Sequence, residues 1–172
     1  MGVFDEIKRF LDGTKLQGSV NTPDSYNLGT HSRNQRLLNE VLMIAPMFVE
    51  TGGINFDDQN YEWVIIPNYP LPERLHEPSC TLLILPPNTY PYTPPIGFYL
   101  DREIHLAQGG KEPNAIGVGS YGAPDLLNMG WYWYCVTLKS SQGGWQTSVD
   151  YRKPDNLLTF MNMVRESLTN DF

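Results

Sequence analysis

Two thiols, three histidines and a short run of hydroxyls are the groups in this 172-residue chain that could carry covalent or acid–base chemistry. The thiols are Cys80 and Cys135. A thiol is the ordinary side chain with a usable anionic fraction near neutral pH, which suits it to acyl transfer. Cys80 lies inside a continuous apolar run and reads as core. Cys135 alternates with Trp131 and Trp133 on one face of a strand, a placement that also suits packing, because free cysteine is among the most buried residue types. Just beyond it come Thr137, Ser140 and Ser141, whose hydroxyls would need a base that is not close in sequence. His105 stands alone in a loop. No Cys/His spacing has the form of a metal site, and a disulfide framework needs more than two cysteines, so no metal and no cofactor are expected.

The elements that must position these groups centre on residues 82–100. Leu82 to Leu85 has the length and aliphatic content of a buried strand, and Ile96 to Leu100 reads the same way. Between them Pro86, Pro87, Pro91, Pro94 and Pro95 fix φ and remove N–H donors, so the link is neither helix nor ladder-bonded strand. Upstream, Ser32 with Gln35 has the form of a capping box, and Leu37, Leu38, Val41, Leu42 and Ala45 make one apolar helix face that Pro46 stops. Phe48 to Glu50 and Tyr61 to Ile66 are expected strands, and residues 68–77 a loop. Downstream, residues 101–130 are irregular and Trp131 to Leu138 is a strand. Asp155 is placed to cap a last helix with Leu157, Leu158, Met161, Val164 and Leu168 on its inner face. The expected fold class is α+β, a four-stranded antiparallel meander with flanking helices.

Residues 32–172 form that domain. Residues 1–31 are a short amphipathic helix (Val3, Phe4, Ile7, Phe10, Leu11) followed by a polar linker. A composition of 41% hydrophobic and 12% aromatic residues is that of a globular chain. A net charge of −7 argues against nucleic acid or an anionic membrane as partner. No apolar run approaches the ~20 residues of a membrane span. The first residues lack a secretion signal, so the expected compartment is the cytoplasm, with both thiols reduced.

The segment Tyr90-Pro91-x-x-Pro94-Pro95 between two apolar strands resembles the signature of ubiquitin-conjugating enzymes. The likeness extends to Leu71-Pro72, Phe98 to Asp101, Trp131 with Trp133, and Trp145, and is closest to the minimal bacterial members encoded beside ubiquitin-like proteins. It implies a conjugating enzyme that takes the C-terminus of a ubiquitin-like protein from an adenylating enzyme and passes it to an amine on a protein target. Family members carry their cysteine some eight to ten residues before a tryptophan, and Cys135 lies ten before Trp145. The resemblance therefore implies Cys135 as the acceptor. His105 occupies the place of the family's His-Pro-Asn, but the tripeptide here is His105-Leu106-Ala107, so Asn114 or Asn128 would have to replace the missing asparagine. Tyr90, Pro94, Pro95 and Trp145 are implied as partner-binding. A non-catalytic scaffold of the same fold, or an oxyester on a nearby hydroxyl, are the alternatives.

Overall fold

The computed structural model describes residues 33–111, 115–117, 119, 121–136 and 144–170; the expected arm at 1–31, Ser32, Asn114, Thr137, Ser140 and Ser141 lie outside them. The described chain begins with helix α1, Arg33–Ile44, whose buried side includes Leu37, Val41 and Ile44. Pro46 ends it in a 3-10 turn, Ala45–Phe48. Phe48 is therefore not the start of a strand. Its carbonyl accepts from Thr51 and Gly53, and Gly52 and Gly53 take positive φ to close that turn. The first strand, β1, is only Asn55–Phe56.

Strand β2 runs Val64–Pro70, further than the expected end at Ile66. It crosses Pro67 by a register shift between Ile66 and Tyr69, after which Tyr69 still pairs with Cys80 and Pro70 with Ser79. A proline cannot donate to a ladder, and a bulge is the arrangement that lets a strand continue past one. Strands β3, Ser79–Ile84, and β4, Gly97–Leu100, follow on either side of the proline corner. They are adjacent and antiparallel, with Leu82 opposite Leu100 and Leu83 opposite Tyr99.

Strands β1 to β4 thus form the expected meander. Two more strands among the described residues, β5 (Ala115–Gly117) and β6 (Tyr132–Cys135), widen it to the order β1-β2-β3-β4-β6-β5, every neighbouring pair antiparallel. Helix α2, Leu157–Thr169, closes the chain. Its N-cap is Asn156, not Asp155: the Asn156 side chain accepts from Thr159 N at 3.1 Å while Thr159 returns a bond to the Asn156 backbone. The residue three beyond Asp155 is Leu158, which has nothing to return. Asp155 instead bonds Gln146 in both directions, accepting from its N–H at 2.7 Å and donating its own at 2.6 Å.

The sheet is apolar on both faces, which is why its strands read as unbroken hydrophobic runs. On one face Val64, Ile66, Leu82, Ile84, Phe98, Leu100 and Tyr134 meet α1 and α2. On the other, Trp63, Ile65, Leu83, Tyr99, Trp131 and Trp133 pack under Leu126, with Ala123 and Met129 at the margin. That second face has a loop for its cover in place of a helix. Among the described residues no helix is long and apolar enough to cross a membrane.

Candidate functional site

The proline corner is held from beneath by a buried carboxylate. Glu40 on α1 is fully buried and accepts from Arg36 Nε, from the Tyr90 hydroxyl and, at 2.7 Å, from the backbone N–H of Leu157, the first residue of α2. An ionised carboxylate removed from water is costly unless donors surround it, and here a guanidinium, a phenol and a helix N-terminus do so. Burial, and then the Glu40 charge beside it, push the Tyr90 phenol far above its ordinary value, so it stays a donor. Arg36 also donates to the Ser148 carbonyl at 2.6 Å. Trp145 Nε1 donates to the Pro91 carbonyl at 2.7 Å, its ring centroid 6.4 Å from that of Tyr90. Tyr90 is thus 1% exposed and Trp145 half-buried; the corner's aromatic on the surface is Tyr92, 82% exposed.

On the loop-covered face a groove of about 500 Å³ opens beside the corner. One wall is Pro86, Pro87, Pro94 and Pro95; the other is residues 121–124; Gly97 and Trp133 lie in its floor. The second wall is tied down by the Tyr99 hydroxyl, which donates to the Pro124 carbonyl at 2.7 Å. Tyr121, at φ +56° and 80% exposed, leans over Trp133 with 6.2 Å between ring centroids. Gly97 has no substitute there: a Cβ would stand 2.4 Å from the Tyr134 carbonyl oxygen and 2.6 Å from Trp133 Nε1.

Cys135 ends β6 directly opposite Gly97, two residues beyond Trp133 and so on the same face. It is partly exposed and packs at the edge of the tryptophan cluster. Burial raises its thiol above the ordinary cysteine value, and no charged neighbour opposes that shift. Cys80 is deeply buried on the helix face and is pushed to about 12, chiefly by burial.

The remaining implied residues stand elsewhere. His105 Nδ1 is 3.1 Å from Glu77 Oε1, and its backbone N–H donates to the same carboxylate at 3.0 Å. Burial raises Glu77, but these bonds to His105 outweigh it and hold the carboxyl below its usual range. Glu77 leads into the start of β3, whereas Gly97 and Cys135 lie level with its end, about 17 Å away along a six-residue strand. His105 and Cys135 are therefore not brought together. Asn128 is exposed in the 3-10 turn Leu127–Met129, which leads into the opposite end of β6 from Cys135. Pro94 and Pro95 are buried and contribute the groove wall.

Arg36 and Glu40 had a weak signal in sequence, an oppositely charged i, i+4 pair on an otherwise apolar helix. Gly97 had a clearer one, a lone glycine inside an aromatic strand, where close approach of another group is the usual cause.

A family model described as prokaryotic E2 family E matches residues 47–171, from the 3-10 turn through α2. The chain belongs to prokaryotic E2 family E. The likeness carried by Tyr90 to Pro95 and the tryptophans thus holds at the level of a bacterial conjugating-enzyme-like family. Membership gives the chain a conjugating-enzyme-like role exercised with protein partners. No curated protein and no solved structure matches it. Among the described residues of this family E chain, no group of His, Cys, Asp and Glu could hold a metal ion.

Proposed function

We propose that Cys135 is the acceptor of an activated protein C-terminus, taken from an adenylating enzyme, and that the chain passes this acyl group to an amine on a target protein in the cytoplasm. The observation that supports the reading is the ladder pairing of Cys135 with Gly97: a partly exposed thiol stands across the ladder from a residue that lines the apolar groove. In the charging step the Cys135 thiolate attacks the carbonyl of the incoming thioester. A new carbon–sulfur bond forms, the bond to the donor's sulfur breaks, and that sulfur leaves as thiolate. Exchange between thioesters needs only the thiolate fraction present at ambient pH, so a distant His105 does not forbid it. The later amine attack gains no acid or base from His105, and onward transfer is expected to be the slower step.

The partner is a ubiquitin-like protein, as the family likeness implies, and the groove beside the corner suits its extended tail. A scaffold reading draws on the raised thiol and the absence of a charged neighbour to lower it. The test is incubation with the adenylating enzyme, ATP and the ubiquitin-like protein. The expected product is a covalent adduct removed by added thiol; tight non-covalent binding with no adduct under any condition would give the case to the scaffold.

A further inference from the structure

At the N-terminal end of α1 a second pocket, about 620 Å³, opens between the helix, the proline corner and residues 147–149. Arg33 and Arg36 line it from the helix, and both guanidinium groups are already engaged. Arg33 donates to the carbonyls of Asn60, Tyr61, Pro86 and Pro87, and Arg36 to Glu40 and the Ser148 carbonyl. An anion would have to displace those bonds, so the pocket suits an apolar occupant. Pro91 and Tyr92 line it from the corner, and Val149 from the segment before α2. Tyr92 is 82% exposed and Val149 90%, the two most exposed large apolar side chains among the described residues. Either alone would need no explanation; two on one pocket mark a surface that another apolar group covers.

The chain itself supplies one. Arg33, the first described residue, lines the pocket, so residues 1–32 join the domain at its rim. Val3, Phe4, Ile7, Phe10 and Leu11 recur at helical spacing on one face, and so short a segment buries such a face only against something else. Extended, residues 13–31 reach up to about 60 Å. The distance to be covered is short, because Arg36, one turn into α1, already bonds Ser148, the neighbour of Val149. The tether makes the contact intramolecular, so a modest apolar contact holds it. We propose that residues 3–11 of this chain dock in this pocket, setting their apolar face on Pro91, Tyr92 and Val149 and leaving Asp5, Glu6, Lys8 and Arg9 to water. Arg33 does not line the groove on the loop-covered face, which makes this pocket the nearer site for the segment. The docking is independent of the acceptor role of Cys135.

The full chain carrying the photo-cross-linker p-benzoylphenylalanine in place of Phe4, or in a second protein in place of Phe10, tests it. After irradiation the linked peptides are mapped by mass spectrometry, and mixing with isotope-labelled chain separates links within a molecule from links between copies. The expected links are intramolecular and fall on residues 88–92 and 147–149. In a Tyr92→Asp, Val149→Asp double variant, whose positions are both exposed and so tolerant of change, their yield should fall at least about fivefold. In Met47→Asp, exposed at the other end of α1, it should change by less than about twofold. Links that fall elsewhere on the chain, such as residues 121–124, links between copies, or no links at all would overturn the docking. So would a yield at residues 88–92 and 147–149 that survives the double variant.

Discussion

Gly97 and Cys135 face each other across the β4–β6 ladder, and the indole of Trp133 occupies the space a Gly97 side chain would need. The thiol, the groove floor and this confined glycine therefore stand together at one place in the β4–β6 ladder. Gly97→Ala would force Trp133 or the β6 backbone to move, because the nearest atom is a carbonyl oxygen at 2.4 Å. The expected loss is about 1–3 kcal/mol by denaturant unfolding, as for other overpacked sites, together with slower adduct formation on Cys135. Native stability in Gly97→Ala would contradict the close approach.

The Glu40 clasp makes a second, purely structural prediction. Glu40→Gln leaves the buried Arg36 without its counter-charge and should cost about 3–5 kcal/mol. Tyr90→Phe removes one donor and should cost less, about 1–3 kcal/mol. Thermal or urea unfolding measures both. A Glu40→Gln protein as stable as the native one would show that the carboxylate does not hold the corner.

The two thiols should differ in reactivity and in pH response. Burial raises Cys135, so its thiolate fraction is small at neutrality and grows about tenfold per pH unit below its pKa. Alkylation and adduct formation at Cys135 should accordingly accelerate from pH 7 to 8.5. Cys80, pushed to about 12 and buried, should stay unmodified over that range in the folded protein. Mass mapping after brief iodoacetamide treatment reads both; preferential labelling of Cys80 would reverse the assignment.

At the start of α2 the capping geometry distinguishes two neighbours. Asn156→Ala should cost about 1 kcal/mol through loss of its bond to Thr159. Asp155→Asn keeps an acceptor for Gln146 and should cost less. Equal losses, measured by urea unfolding, would mean that the cap is shared.

Much of this arrangement is legible in the residues themselves. The aliphatic run at 82–85, the aromatic run at 96–100 and the prolines between them announce two antiparallel strands and a stiff corner, because proline leaves so few backbone alternatives. Alternation also puts Trp131, Trp133 and Cys135 on one face. What escapes sequence depends on partners far along the chain. Strand β1 is two residues long and exists through its pairing with Val64 and Ile65. The bulge past Pro67 is invisible to a rule that ends strands at proline. Glu40 reads as a solvent-facing charge because its three donors come from α1, the corner and α2. The separation of His105 from Cys135 is a matter of sheet direction: β4 leaves Gly97 and carries the chain away from the thiol before His105 is reached.

The acceptor role of Cys135 is tested most directly by intact mass of Cys135→Ala and Cys80→Ala after incubation with the adenylating enzyme, ATP and the ubiquitin-like protein. The account predicts a thiol-sensitive adduct of one ubiquitin-like protein on Cys80→Ala and none on Cys135→Ala. An equally thiol-sensitive adduct on Cys135→Ala would contradict it.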